Sequence, residues 1–368
     1  MIKVGVVGLG KMGLSHHALL NAHPDVDVVG VCDSSSYVLA VLKKYTGVTT
    51  FDNYEEMLKA ATLDAIVIAT PSKSHSQMVQ AALDRGLHVF CEKPLTLDPL
   101  DSGKLVKSAR ERRLVTQVGY HNRFVGAFRE VKSLLDTGAI GQLTHVLGEA
   151  YGPVVLKAKG KTWRTQRSEG GGCLYDYAAH VINLVNLYLG EPVGVGGTAL
   201  PRVFSRETDD SAFSTLYFPE GRTGQISVSW SDESYRKMTT RVNIWGTAGR
   251  IYADRQECQV YLRDMANAPK GYEQGWNVRF TTELTEPVWF YLRGEEYSAQ
   301  IDCFIRQIVT GVPSAGYDFE SAAATDRTVA MMISDAHAGP STDGIGQDRD
   351  PVVAEHRRGR WGWKRATA

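Results

Sequence analysis

The run Gly8-Leu9-Gly10-Lys11-Met12-Gly13 sits between an apolar stretch at 3–7 and a segment of helical apolar spacing at 12–22. Three glycines at that spacing join a buried strand to a helix that starts at once, so the first part of the chain must begin strand–turn–helix. The alternation then continues. Strand-like runs at 26–32, 65–69, 87–91 and 114–118 are separated by helical patterns at 36–45, 54–61, 74–85 and 99–112. Strands and helices that alternate in this way form a parallel sheet covered on both faces. Right-handed crossovers make it doubly wound. The fold class is α/β, with an N-terminal unit over 1–122.

The pattern changes after Phe124. One helix at 124–136 is followed by strand-like stretches at 143–151, 193–200, 211–218, 222–230, 239–245, 250–253 and 259–262. A helix at 174–189 interrupts the series, and helices at 297–310 and 319–336 close it. Pro219-Glu220-Gly221 reads as a hairpin turn. The expectation is an α+β domain over 123–338 with an open, mostly antiparallel sheet and helices on one face. Its bare face calls for cover by another subunit, as a homodimer or homotetramer. Residues 339–368, rich in Gly, Pro, Asp and Arg, read as a flexible tail.

Charge and cysteine content narrow the function. Lys plus Arg number 41 and Asp plus Glu 41, so no basic footprint of a nucleic-acid binder appears. No apolar run approaches the ~20 residues that a membrane helix needs, and the N-terminus enters a strand without a signal-peptide pattern. Cys32, Cys91, Cys173, Cys258 and Cys303 are odd in number, widely spaced and form no CxxC. They read as reduced thiols of a cytoplasmic protein without a structural zinc site.

The glycine turn suits a dinucleotide: one glycine for the tight turn, one for close approach of pyrophosphate, one for helix–strand packing. The helix N-terminus offers amides to the phosphates. Asp33 lies 20 residues past Gly13, at the end of the second strand. A carboxylate there accepts from the adenosine ribose hydroxyls and repels a 2′-phosphate. No base follows in Ser34-Ser35-Ser36, so NAD is favoured over NADP. The loop Thr70-Pro71-Ser72-Lys73-Ser74-His75 follows the third long strand, at the edge where open α/β sheets bind ligands. Taken alone, His75 reads as part of a helix start.

Glu92-Lys93-Pro94 follows the strand ending at Cys91, which places Lys93 at the same edge; a surface lysine is the plain alternative. Further on, Gly170-Gly171-Gly172 precedes Asp176 and His180, spaced i and i+4 on a helix and so sharing a face. Histidine exchanges protons near neutral pH, and a neighbouring carboxylate can orient it. A metal is the rival use of such a pair, but no third ligand lies nearby in sequence.

Taken together, GxGxxG with Asp33, ATPSKSH (69–75), CEKP (91–94), VGYHNRF (118–124) and GGGCLYDYAAH (170–180) resemble the glucose–fructose oxidoreductase / inositol dehydrogenase / MocA family. The resemblance spans about residues 1–336. It implies a Rossmann domain joined to an α/β domain whose open sheet commonly mediates oligomers. It also implies NAD(P)-dependent oxidation or reduction at a carbon of a sugar, cyclitol or nucleotide sugar. Lys93 then corresponds to the family's catalytic-site lysine, and Asp176 and His180 to its substrate-side pair. Candidate cofactor contacts are Gly8, Gly10, Lys11, Met12, Gly13, Asp33, Ser34, Thr70, Pro71, Ser72, His75, Glu92, Lys93 and Asn122. Candidate substrate contacts are Lys93, Tyr120, Trp163, Arg164, Asp176, Tyr177 and His180. The chain departs from the family at Ala178, often glycine, and Asn183, often aspartate.

On this reading His180 takes the hydroxyl proton, Lys93 stabilises the developing oxyanion, and Asp176 orients His180 or binds a neighbouring hydroxyl; Lys93 and His180 can exchange roles. The segment 156–167 carries five basic residues and no acid, which suits an anionic substrate or simply a solvated loop. Arg123 has both a site reading and a structural one. Besides a dehydrogenase, the motifs admit an NAD-dependent glycosidase using transient oxidation, or a non-catalytic cofactor-binding regulatory protein.

Overall fold

The computed structural model describes residues 1–156, 163–312 and 316–339. The first sheet contains β1 (Ile2–Val7), β2 (Val26–Cys32), β3 (Thr50–Phe51), β4 (Ala65–Ile68), β5 (His88–Cys91) and β6 (Thr116–Val118). They lie in the order β3-β2-β1-β4-β5-β6, and every pairing is parallel. Helices α1 (Lys11–Asn21), α2 (Ser36–Thr46), α3 (Tyr54–Ala60), α4 (His75–Asp84) and α5 (Pro99–Glu111) connect them. The strand order reverses between β1 and β4, and that switch point is where a crevice opens beyond the strands' carboxyl ends.

Both faces of this sheet are covered. Ile66, Ile68 and Val89 pack against Met57, Val79, Leu83 and Leu105 on one side. On the other, Val4, Val6, Val67 and Phe90 meet Leu19 and Leu20. They also meet Ile301, Phe304 and Ile305 of a helix from far down the chain. That explains why the strands are continuous apolar runs rather than alternating ones. The two-residue β3 is too short to leave a pattern and was not expected from sequence.

After α6 (Gly126–Asp136) comes the second sheet: β7 (Leu143–Tyr151), β8 (Gly194–Ala199), β9 (Ser211–Tyr217), β10 (Thr223–Ser229), β11 (Arg241–Gly246), β12 (Gly249–Asp254), β13 (Glu257–Leu262) and β14 (Gly275–Phe280). Its order is β14-β13-β12-β11-β7-β10-β9-β8, antiparallel except where β10 runs parallel to β7. The turn Pro219–Gly221 joins β9 to β10 as a hairpin. α7 (Ala179–Leu189) and α6 lie on one face, where Val181, Ile182 and Val185 meet Val146, Ile226, Val242 and Ile251. The other face is bare: Phe213, Tyr217, Tyr261, Trp276, Val278 and Phe280 are all exposed. β14 alternates exposed and half-buried residues with no fully buried position, so its apolar signal was too weak to read.

α8 (Thr281–Leu284) is a single turn; α9 (Glu295–Thr310) and α10 (Phe319–Ala338) follow. α9 returns to the first sheet as the distant helix noted above, and α10 packs against both α5 and α7. The two sheets are therefore clasped by the end of the chain. Arg123 belongs to this joint. It is buried and donates through Nε and Nη2 to Asn183 Oδ1 and O, and through Nη1 to Gly316 O. Burial lowers its pKa to about 10. The structural reading of Arg123 thus holds. Residues 340–368 lie outside the described residues. Among the described residues no helix is long and apolar enough to cross a membrane.

Candidate active site

The β1–α1 turn shows why its glycines are needed. Gly8 has φ +83, and a Cβ there would stand 2.7 Å from the Ala69 backbone. At Gly13 a Cβ would stand 1.7 Å from the Gly8 carbonyl oxygen. Gly10 faces open space, with nothing within 4 Å. The turn is closed from behind and clear in front, which fits a pyrophosphate against the start of α1. Asp33 caps this arrangement: its Oδ2 accepts from Leu9 N at 2.5 Å and its Oδ1 from Ser35 N at 2.8 Å. Lys11, Ser34 and Pro71 are exposed and Met12 and Thr70 half-buried around it, while Ser72 is buried. A dinucleotide is the group that this turn and carboxylate fit.

His75 sits deeper than its position in the loop suggested. It is fully buried, with Nδ1 2.8 Å from Pro94 O and Nε2 3.0 Å from Thr70 O. It joins the loop after β4 to the loop after β5, and both ring nitrogens are engaged by protein. Glu92 is likewise turned inward: Oε1 lies 2.8 Å from His16 Nε2, and Oε2 accepts from Lys93 N at 3.2 Å. Burial opposes its ionisation, but His16 and Lys93 outweigh burial and hold its pKa below the usual value.

Lys93 crosses from the first sheet to the second. Nζ donates to Asp176 Oδ1 at 2.7 Å and to Asp176 O at 2.9 Å. The other carboxylate oxygen accepts from Arg164 Nε at 2.8 Å, and the Arg164 guanidinium lies 4.7 Å over the Trp163 ring. Burial alone would raise the Asp176 pKa, yet the two cations overcome it and hold it below the usual carboxylate value. Lys73, from the loop after β4, forms a second ion pair with Glu169 in the segment before the glycine run.

The expected link from Asp176 to His180 is replaced by these contacts. Residues Leu174–Ala178 form a π-turn, whose i→i+5 pairing shifts the register away from the i, i+4 overlap of an α-helix. His180 is buried, with its Nδ1 unpartnered. Its ring stands edge-on to Tyr120 at 5.8 Å and to His121 at 4.8 Å. Burial, then the charges of Lys93 and Arg255, hold its pKa well below the ordinary histidine value. Tyr177 points into the second core, edge-on to Trp230. Asn122 is buried with its amide committed: Oδ1 accepts from Arg255 and Nδ2 donates to Thr240.

Sequence reading overlooked Arg255, Glu296, Tyr297 and the ring of His121. They come from three distant segments; only His121 lies in a motif, VGYHNRF, and Arg255, Glu296 and Tyr297 carry none. Of the basic segment, Lys157, Lys159 and Lys161 lie outside the described residues, and Arg167 is exposed. Among the described residues no group of three His, Cys, Asp or Glu gathers to hold a metal ion.

Comparison with known proteins bears on this geometry. An oxidoreductase family with an NAD-binding Rossmann fold matches residues 2–120, and the GFO/IDH/MocA C-terminal domain matches 128–252. Myo-inositol 2-dehydrogenase of Thermotoga maritima is 26% identical over 326 residues, 85% of this chain and 90% of that protein. The dTDP-3,4-didehydro-2,6-dideoxy-alpha-D-glucose 3-reductase of Streptomyces antibioticus is 30% identical over 255 residues, covering 69% of this chain and 76% of that one. The solved structure of a levoglucosan dehydrogenase with NADH and levoglucosan superposes with a TM-score of 0.80 at 20% identity, over 92% of this chain and 97% of the other. At that identity the likeness concerns the fold.

The turn geometry makes a direct expectation. Gly13→Ala should weaken NADH binding at least tenfold, about 1.4 kcal/mol, because the new methyl group meets backbone that cannot yield. Fluorescence titration with NADH measures it, and an unchanged Kd would contradict the assignment of this turn.

Proposed function

Since the chain belongs to the Gfo/Idh/MocA family of NAD-binding oxidoreductases, we propose that it is a dehydrogenase acting on a secondary hydroxyl of a sugar, cyclitol or nucleotide sugar, with NAD as cofactor. The observation that carries this reading is the Lys93–Asp176 contact. It brings the carboxyl edge of the dinucleotide sheet to the helix bearing His180. The bound nicotinamide would supply the hydride acceptor.

The chain's own residues account for the rest. His180, neutral and buried, takes the hydroxyl proton. The Lys93 ammonium donates to the same oxygen and stabilises negative charge as it develops. Asp176 does not relay the proton. It anchors Lys93 and Arg164, and Arg164 with Trp163 offers a cation and a flat face to a polyhydroxylated ring. Asp33, set by the amides of Leu9 and Ser35, accepts from the adenosine ribose and disfavours a 2′-phosphate. The bare face of the second sheet, with Trp276 and Phe280 prominent, would be covered in a homodimer or homotetramer.

Screening inositols, free sugars, anhydrosugars and nucleotide sugars for NADH formation tests the activity. His180→Ala should lower kcat ~10²–10⁴-fold, the range of a lost general base, and leave NADH affinity near normal. Oxidation needs His180 unprotonated. Its lowered pKa means that kcat/KM holds as pH falls from 8 to about 6.5, the unperturbed histidine value, and declines only below it. Near-normal kcat in the variant would shift the base to Lys93.

Cofactor choice has its own test. NAD should outperform NADP in kcat/KM, and Asp33→Ala should narrow the gap. A wild-type preference for NADP would reject the assignment of Asp33. Sedimentation velocity at micromolar concentration should show an oligomer; a monomer alone would reject the role given to the bare sheet face.

A further inference from the structure

Behind the proposed base lies a second histidine held by an arginine. Arg255 occupies the turn between β12 and β13 and reaches back to the segment joining the two sheets. Its Nη1 donates to His121 Nε2 at 3.2 Å and to Asn122 Oδ1 at 3.2 Å. Its Nη2 pairs with Glu296 at the start of α9. The His121 ring stacks on Tyr297 at 4.7 Å and 17°, and meets His180 edge-on at 4.8 Å. We propose that Arg255 is a positioning residue for the reaction: it fixes His121 as a neutral ring with the hydrogen on Nδ1, and so sets the surface against which His180 is held.

The chemistry of the donor requires this tautomer. A guanidinium has only N–H donors and stays charged. The nitrogen facing it must therefore present a lone pair, which leaves the hydrogen of a neutral imidazole on Nδ1. Protonating His121 would set N–H against N–H and cation against cation. The groups around the pair act in the same direction. His121 touches His180, Arg255 and Tyr297 and feels the charges of Lys93 and Arg293; His180 touches His121 and Tyr120 and feels the charges of Lys93 and Arg255. The carboxylates close by are committed elsewhere, Glu296 to Arg255 and Asp176 to Lys93 and Arg164. Burial first, and these charges second, keep His121 well below the ordinary histidine pKa. Because His180 has an unpartnered Nδ1, ring contact rather than a hydrogen bond fixes its orientation. A rigid, uncharged His121 is what that contact needs.

This inference rests on His180 as the proton acceptor only for its effect on turnover; the state of His121 is tested without catalysis. The experiment is a ¹⁵N-histidine NMR titration of the full chain, alone and with NADH, with the His121 signal assigned by its loss in His121→Asn. Wild type should show the Nδ1–H tautomer and no titration of His121 between about pH 5.5 and 8, the range in which an ordinary imidazole titrates. Arg255→Met leaves Glu296 buried without its partner, so the variant used is Arg255→Met with Glu296→Gln. There His121 should titrate at higher pH, by roughly half a unit or more, and lose the single-tautomer signature. Arg255→Lys should restore both. The acid limb of kcat/KM, measured with an alcohol found in the screen, should move upward in the double variant and return with lysine. An unchanged His121 tautomer and titration in the folded double variant would overturn the proposal. An altered His121 with an unmoved limb would overturn its link to the reaction. If His180→Ala keeps full turnover, the base assignment fails, while the NMR result still decides the role of Arg255.

Discussion

One buried carboxylate, Asp176, holds the two halves of the site in a fixed relation. It is shared by Lys93 from the first sheet and Arg164 from the loop before the glycine run. Taking an unpaired carboxylate out of water would cost several kcal/mol, so it is tolerated here only because both oxygens are met by cations. The dependence is mutual. Lys93 has 12% side-chain exposure and Asp176 7%, so neither keeps its charge without the other at low cost. A site assembled in this way is set before any ligand arrives, as electrostatic preorganisation requires.

The loop bearing Lys93 is braced on several sides. His75 ties Pro94 O to Thr70 O, and Glu92 ties Lys93 N to His16 of α1. Two residues past Pro94, Thr96 N donates to Asp326 Oδ2 at 3.2 Å, which also accepts from Ser102 Oγ at 2.7 Å. Asp326 belongs to α10, so that helix reaches the loop bearing Lys93 directly. Burial raises its pKa to about 7, against the pull of Ser102, Thr96 and Arg327. The bracing residues are neutral hydrogen-bonders or inward-facing charges. None competes with Lys93 for the space in front of the sheet.

Legibility in the sequence follows the range of the contacts involved. The dinucleotide turn was readable because Gly8, Gly10 and Gly13 lie within six residues, with Gly13 set against the Gly8 carbonyl and Gly10 facing open space, and Asp33 meets that turn from the end of β2. The elements of the first sheet were readable because burial on both faces turns each strand into an apolar run. The π-turn at Leu174–Ala178 was not readable: nothing in Leu-Tyr-Asp-Tyr-Ala separates i→i+5 from i→i+4 pairing, and so Asp176 was expected to face His180. His75 was expected near cofactor, whereas burial of its whole ring and two carbonyl partners make it a strut. Arg255 and Glu296 lie more than a hundred residues from His121, and no local pattern can report a contact closed by tertiary packing.

That difference in range bears on where the chain departs from its relatives. Asn183, where the family often has aspartate, follows His180 by three residues. Its side-chain Oδ1 accepts from Arg123 Nε and its Nδ2 donates to Thr325 Oγ1. Arg123 is buried and finds carbonyl oxygens rather than a carboxylate, so its charge is spread over neutral acceptors. Asparagine supplies both an acceptor for Arg123 and a donor for Thr325, whereas an ionised aspartate supplies acceptors only. Asparagine at this position therefore changes the joint between the sheets. Ala178, where glycine is common, is fully buried at the end of the π-turn, and its methyl group fills core space rather than facing a ligand. Both departures thus act through packing, Asn183 at the joint between the sheets and Ala178 in the core against the second sheet.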